Sequence, residues 1–175
     1  MKVGLISDTH GFLDEKVLRS LRGCDEIWHA GDLGPGVAEK LSAIGNFRAV
    51  YGNIDDLDTR NLFPEFLEIN EDGLRILITH IAGKPPKYNT SVRSKIKSFE
   101  PHVLICGHSH MACVIKDPNK NNMIFINPGA AGIHGFHQMR TLITFQIRNG
   151  KISDLALVEI GKRGAIKDSA GVEYI

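Results

Sequence analysis

The chain has 175 residues, 42% of them hydrophobic and 23% charged, which are proportions of an ordinary globular protein long enough to bury one substantial core. A formal net charge of +1 leaves no basic excess to neutralise a nucleic-acid backbone or an anionic membrane, so stable association with either is not expected. The three cysteines, Cys24, Cys106 and Cys113, form no CxxC pair, which excludes a disulfide framework and a thiolate zinc site and fits a reducing compartment.

The first apolar run ends at Ile6, too short for a signal peptide, and no later stretch nears the roughly 18 apolar residues that cross a bilayer; a cytoplasmic location is expected. Val3 to Ile6 predicts a buried strand ending at Ser7-Asp8. From Asp14 to Leu21, the spacing of Val17, Leu18 and Leu21 predicts a helix. Glu26 to His29 reads as a second strand broken by Gly31-Asp32, and Val37 to Ile44 as a second helix carrying Val37, Leu41 and Ile44 on one face. Phe47 to Tyr51 is a third strand, stopped by Gly52-Asn53. This alternation implies right-handed βαβ crossovers and a mainly parallel sheet.

Phe66 to Asn70 and Leu74 to Thr79 read as a hairpin, because Asp72-Gly73 tolerates the positive φ of its turn. Lys84, Lys87, Tyr88 and Arg93 read as an ordinary solvated loop, with a phosphate-pocket rim as the alternative. Ser91 to Phe99 predicts a helix closed by Pro101, and Val103 to Cys106 another buried strand. Ala112 to Lys116, Met123 to Ile126, Thr141 to Ile147 and Ile152 to Val158 are further strands. Two packed sheets with helices outside accommodate both halves. No linker, repeat or low-complexity tract divides residues 1–175, which read as one domain, although Gly161 to Ile175 has weak periodicity and is expected to be loosely ordered.

Five segments share one arrangement, an apolar strand that stops at a polar, metal-type donor: Ser7-Asp8-Thr9-His10-Gly11, His29-Ala30-Gly31-Asp32, Tyr51-Gly52-Asn53, Ile78-Thr79-His80 and Cys106-Gly107-His108-Ser109-His110. In an α/β sheet such strand ends gather along one edge, where ligand sites form. Asp8 with His10, and His108 with His110, sit two apart, so an extended backbone would point both members of a pair the same way. Gly11, Gly31, Gly52 and Gly107 let the chain turn beside them. Four imidazoles, two carboxylates and one amide suit manganese, iron, zinc, cobalt or nickel better than calcium or magnesium. Two divalent ions outweigh two aspartates and one hydroxide, so the centre would stay positive and attract a phosphate anion. A bridging water would ionise near about 7.

The order Asp-x-His, Gly-Asp, Gly-Asn, His, Gly-His-x-His resembles the calcineurin-like metallophosphoesterase family, and within it the small YfcE-like phosphodiesterases. Asn127-Pro128-Gly129 resembles a family turn. The resemblance implies an α/β fold, an αββα sandwich of two mixed β-sheets flanked by helices. It also implies two metal ions, manganese first and nickel, iron, zinc or cobalt next. Asp8, His10 and His110 would hold one ion, Asn53, His80 and His108 the other, and Asp32 both. Asp32, Asn53 and His108 would be catalytic, and a hydroxide bridging the ions would attack a small phosphodiester. Ile54 stands where many relatives have a histidine that protonates the leaving group, which favours good leaving groups. Asp55 is a candidate to orient Asn53 or a water.

Outside the motifs, His29 reads equally as support for Asp32 or as a packed residue, His102 as solvent-facing, and Trp28 as core. His134 and His137 lie in a glycine-rich loop that could reach the pocket. A phosphomonoesterase of the same mechanism is the near alternative. A protein-binding scaffold like Vps29, which shares the fold with altered ligands, is the distant one, and the intact donor set argues against it. A homo-oligomer is the base-rate expectation.

Overall fold

The structure, a computed structural model, describes residues 1–164, with the backbone of 166–167 and 173–174. Strands β1 (Lys2–Ile6), β2 (Glu26–Ala30) and β3 (Asn46–Val50) alternate with helices α1 (Glu15–Leu21) and α2 (Val37–Ser42), as the apolar spacing predicts. The Asp14 carboxylate caps α1 by accepting from Val17 N at 3.0 Å. Next come α3 (Leu57–Leu62), the hairpin β4 (Phe66–Glu71) and β5 (Leu74–Thr79), a small hairpin of β6 (Gly83–Lys84) and β7 (Lys87–Tyr88), and α4 (Thr90–Phe99). Strands β8 (Val103–Ile105), β9 (Cys113–Asp117), β10 (Met123–Asn127), β11 (Met139–Arg148) and β12 (Lys151–Lys162) follow, and a short β13 (Ile166–Lys167) pairs antiparallel with β14 (Glu173–Tyr174).

Two five-stranded sheets result, in the orders β12-β11-β1-β2-β3 and β4-β5-β8-β10-β9. In the first, β1, β2 and β3 are parallel, while β11 and β12 add antiparallel to the β1 edge. The second has β5, β8 and β10 parallel, with β4 and β9 as antiparallel edges. Both sheets are mixed.

Period-two side-chain alternation makes the layers. Val3, Leu5, Trp28, Ile76, Ile78, Val103, Ile105 and Phe145 fill the space between the sheets. Their neighbours Ile6, Ile27 and Leu142 point outward, where α1 and α2 cover them with Val17, Leu21, Val37 and Leu41. Leu77 and Leu104 point out of the second sheet, beneath Val92 and Ile96 of α4. Each such aliphatic side chain contributes about 1.5–3 kcal/mol on full burial. The result is the expected αββα sandwich.

Three local readings change. Helix α3 has no sequence-level signal because it buries no residue, leaving Leu57 and Leu62 exposed; its start is fixed by Asp56 capping Thr59 N at 2.9 Å. The segment read as a solvated loop after His80 is instead the β6–β7 hairpin, and Tyr88 is buried there, donating to Asp117 Oδ2 at 2.7 Å. Gly161 and Lys162, expected in a loose tail, end β12; most of the tail beyond residue 164 lies outside the described residues.

Candidate metal centre

Each parallel strand of both sheets ends at the same edge. β1 runs into Asp8, β2 into Asp32, β3 into Asn53, β5 into His80 and β8 into His108. Backbone bonds zip these ends together: Asp8 N to Gly31 O at 3.0 Å, His10 N to Asp32 O at 3.1 Å, and Gly107 N to His80 O at 3.0 Å. Across the sheets, His108 N donates to both Asp8 carboxylate oxygens at 3.2 and 3.1 Å.

The local backbone departs from the extended form expected for the two-apart pairs. Asp8, His10, Asp32, His108 and His110 all have φ between 48° and 65°, in the left-handed region that side chains rarely adopt. Each of these strands therefore stops by turning at the donor itself. Such strain, of order 1–3 kcal/mol per residue, persists where surrounding contacts over-determine the conformation. Gly52 and Gly107 serve a different need from the sharp turns expected of them. A Cβ on Gly52 would strike the Asp32 carboxylate, and one on Gly107 would strike Ser7 Oγ, so these glycines let backbone pass against the donors.

Two donor clusters form, each within a 4.8 Å span: Asp8, His10 and His110, and Asp32, His80 and His108. Asp32 Oδ2 reaches both, at 3.8 Å from His10 Nε2 and 3.2 Å from His80 Nε2. Its other oxygen accepts from Ile54 N at 3.0 Å, which fixes the carboxylate's orientation. Asn53 is exposed and lines a cavity of about 350 Å³ with His80, Arg60 and Ser91.

The protons of His80 point to a cation. Nδ1 lies 2.8 Å from the Ala30 carbonyl, which only accepts, so Nδ1 carries the proton and the neutral ring turns a bare Nε2 lone pair toward Asp8 and Asp32. Lone pair facing carboxylate is repulsive unless a positive charge lies between them. Among the described residues, His80 Nε2 and His10 Nε2 are buried without an aligned hydrogen-bond partner. Burial lowers the His80 pKa, but the Asp32 contact and the two carboxylate charges outweigh it and hold it above the ordinary value. Burial raises Asp32, and the His80 bond and charge together with Ile54 N outweigh that and hold it low, so the carboxylate stays ionised. The donor set fits a pair of divalent cations.

Residues 1–150 match the calcineurin-like phosphoesterase superfamily domain. The chain belongs to this superfamily. A relative, the phosphodiesterase MJ0936 of Methanocaldococcus jannaschii, is 27% identical over 146 residues, covering 74% of this chain and 83% of the relative. Similar solved structures include Vps29 of Chaetomium thermophilum, with TM-score 0.74 and 16% identity over 99% of this chain and 92% of that one. A conserved uncharacterized protein, predicted phosphoesterase, of Streptococcus pneumoniae TIGR4 has TM-score 0.65 and 20% identity over 91% and 89% of the two chains. At these identities the two structures speak for the fold alone.

Several residues of this superfamily member support the candidate donors without being donors themselves. His29 is fully buried; its Nδ1 accepts from Gly31 N at 3.2 Å, so Nε2 carries the proton and donates to Thr9 Oγ1 at 2.9 Å. Thr9 donates onward to Leu33 O at 2.8 Å. His29 thus ties the Asp8-Thr9-His10 turn to the Gly31-Asp32-Leu33 turn, and desolvation pulls its pKa down to about 4. The Asp55 carboxylate makes no hydrogen bond to Asn53's side chain or to a candidate donor side chain: it accepts from Leu33, Gly34 and Gly52 backbone N–H groups. Asn127 donates to Gly107 O at 2.7 Å and Ser109 Oγ at 3.1 Å, bracing the His108-Ser109-His110 turn. Arg60, carried by the unforeseen α3, donates to the carbonyls of Asp55 and Asn53 and brings a guanidinium to the cavity beside His80.

Of the other histidines, His102 is exposed and accepts from Arg75 N. The ring of His134 stands 5.7 Å from that of His10. His137 lies against His110, and burial lowers its pKa. A surface cavity of about 430 Å³ between Arg75, Lys97 and Lys120 lies at the far ends of β5 and β8 and shares no donor with the centre.

Proposed function

We propose that Asp8, His10, Asp32, Asn53, His80, His108 and His110 hold two divalent cations, manganese foremost, and that the centre hydrolyses small phosphodiesters. The observation that carries this reading is the single Asp32 oxygen facing one imidazole from each donor cluster. Bound there, two cations would polarise phosphoryl oxygens and acidify a water for in-line attack. The chain's own part is positional. Asp8 and Asp32 set the charge between the clusters, His80 is aimed by Ala30 O, and Asn53, His108 and Arg60 stand on the exposed rim where a phosphate would arrive.

Diester chemistry is supported by space on both sides of the donors. One cavity of about 350 Å³ adjoins His80 and Asn53, and another of about 370 Å³ adjoins His108, His110, Met111 and Phe136. A diester has two substituents to place; a monoester needs one side only. Ile54, exposed at the rim, supplies no acid to a leaving group. Turnover of an activated aryl phosphodiester with manganese, nickel or cobalt tests the reading, and the matched monoester measures the preference. Inactivity with every metal would sink the enzymatic reading. A protein-binding role has one observation in its favour, the exposed Leu57, Leu62 and Phe136. Metal analysis separates the two: a scaffold need not retain cations, an enzyme must.

A further inference from the structure

His137 lies outside every strand-end motif, yet two contacts place it in control of a proposed ligand. Its Nε2 is 3.1 Å from the Gly132 carbonyl oxygen, which can only accept, so Nε2 carries the proton. The neutral ring is left with a bare Nδ1, and this atom stands 3.3 Å from His110 Nδ1. A bare nitrogen accepts, so His110 donates from Nδ1. Its lone pair is thereby placed on Nε2, the atom 3.2 Å from Asp8 Oδ1 in the first donor cluster.

We infer that His137 is a positioning residue that fixes the tautomer and ring orientation of His110 for cation binding. This rests on the two-cation reading above. A histidine that binds a metal through one nitrogen depends on what the other nitrogen meets, and such partners are worth roughly 10–100-fold in metal affinity or activity. His80 obtains the same service from a backbone carbonyl. Among the described residues no carbonyl takes that role for His110, and a second imidazole provides it. His137 is not itself a further ligand, because one nitrogen is committed to Gly132 and the other to His110.

The loop that carries His137 is built to approach the centre. Ala131 N donates to Ser7 O at 2.9 Å and Gly132 N to Asp8 O at 3.1 Å, anchoring the loop on the β1 end. Gly135, at φ 111°, passes so close that a Cβ would collide with the His110 ring. Arg163 holds the far side, donating to His137 O at 3.0 Å and Ile133 O at 3.3 Å.

The test titrates metal-free protein with Co2+, read by calorimetry and by visible absorption of the bound ion, for wild type, His137→Ala and His137→Asn. Asparagine offers a carbonyl oxygen near the place of His137 Nδ1, so it can still accept from His110. The expected result is that His137→Ala weakens one of two binding steps by roughly 10–100-fold and alters that site's spectrum, and that His137→Asn restores most of both. Equal weakening of both steps without rescue by asparagine would mark a merely structural role and overturn the inference. If wild type binds two ions and both variants match it, the inference alone falls; if wild type binds none, the two-cation reading falls and takes it along. Should His137→Ala unfold, the 15N shifts of His110 in metal-free wild type decide directly. Protonated Nδ1 supports the assignment, and protonated Nε2 overturns it.

Discussion

On the floor of the centre, Asp8, Asp32 and His80 are almost sealed from solvent, at 0%, 2% and 3% exposure, and are held mainly by backbone groups of neighbouring strand ends. On the rim, Asn53 and His108 stand exposed, and His110 is braced by a side chain from a loop 27 residues further on. The floor is thus a product of the fold, since the two sheets cannot close without bringing those donors together. The rim is an addition to it. Changes to the floor should cost stability, cation binding and turnover together, whereas changes to the rim should act on cation binding, turnover or selectivity and spare the fold.

The largest effect is expected at the shared carboxylate. Asp32→Asn keeps the shape and an acceptor for Ile54 N but removes the charge that faces both His10 and His80. Diesterase turnover should fall roughly a thousandfold or more, equivalent to about 4 kcal/mol of transition-state stabilisation, with the far-UV spectrum unchanged. Turnover within about tenfold of wild type would remove Asp32 from the mechanism.

Glycines separate the two parts of the molecule more finely. In Gly107→Ala the new Cβ would meet Ser7 Oγ, Asp8 Oδ2 at 2.8 Å and Ala30 O at 2.9 Å, all firmly packed. It should cost about 1–3 kcal/mol and displace a donor, so the melting temperature and activity drop together. Gly23→Ala, at φ 78° with open space around it, carries only the backbone penalty of about 1 kcal/mol and should leave kcat unchanged. Loss of kcat in both would mean that the floor is not specially packed.

His29 gives the floor a pH signature. Its pKa is about 4 in the fold against 6.5 for a free imidazole, because the charged form cannot be solvated there. Between those values the unfolded chain binds the proton and the folded one does not. The contribution to stability is therefore complete above about 6.5 and is lost as pH falls toward 4, a change on the order of 3 kcal/mol. Urea midpoints of metal-free protein at pH 7 and pH 4.5 should fall further for wild type than for His29→Asn, which has no proton to take up. An equal fall in both would place the acid sensitivity elsewhere.

The same division explains what the sequence discloses. Donors at strand ends are legible because an apolar run that stops at Asp or His needs only the topology to carry it to a common edge, and the β1–β3 spacing announces that topology. Their left-handed turns are not legible: Asp-x-His reads as extended, and only the packed neighbours hold Asp8 and His10 at positive φ. Helix α3 leaves no trace because Leu57 and Leu62 face solvent, and Arg60 goes unnoticed with it. Asp55 looks like a partner for Asn53 by proximity, yet its carboxylate turns to three backbone N–H groups of converging loops. His137 is hidden for a similar reason, since its meaning depends on a carbonyl and a ring that only the folded loop supplies.

The smallest effect expected is a gain on the rim. Ile54 anchors to the floor through its backbone N–H to Asp32, but its side chain is 47% exposed and fills no core position. Ile54→His should therefore leave the stability within about 0.5 kcal/mol of wild type, as for other surface substitutions. A new imidazole there could protonate a departing oxygen, and that help matters in proportion to the basicity of the leaving group. Alkyl diesters should gain several-fold and nitrophenyl diesters little, because a nitrophenolate departs without assistance. Parallel gains on both substrates would point to altered binding of the phosphate instead. A gain confined to the poor leaving group would establish that the rim tunes the reaction while the floor keeps the fold and the donors unchanged.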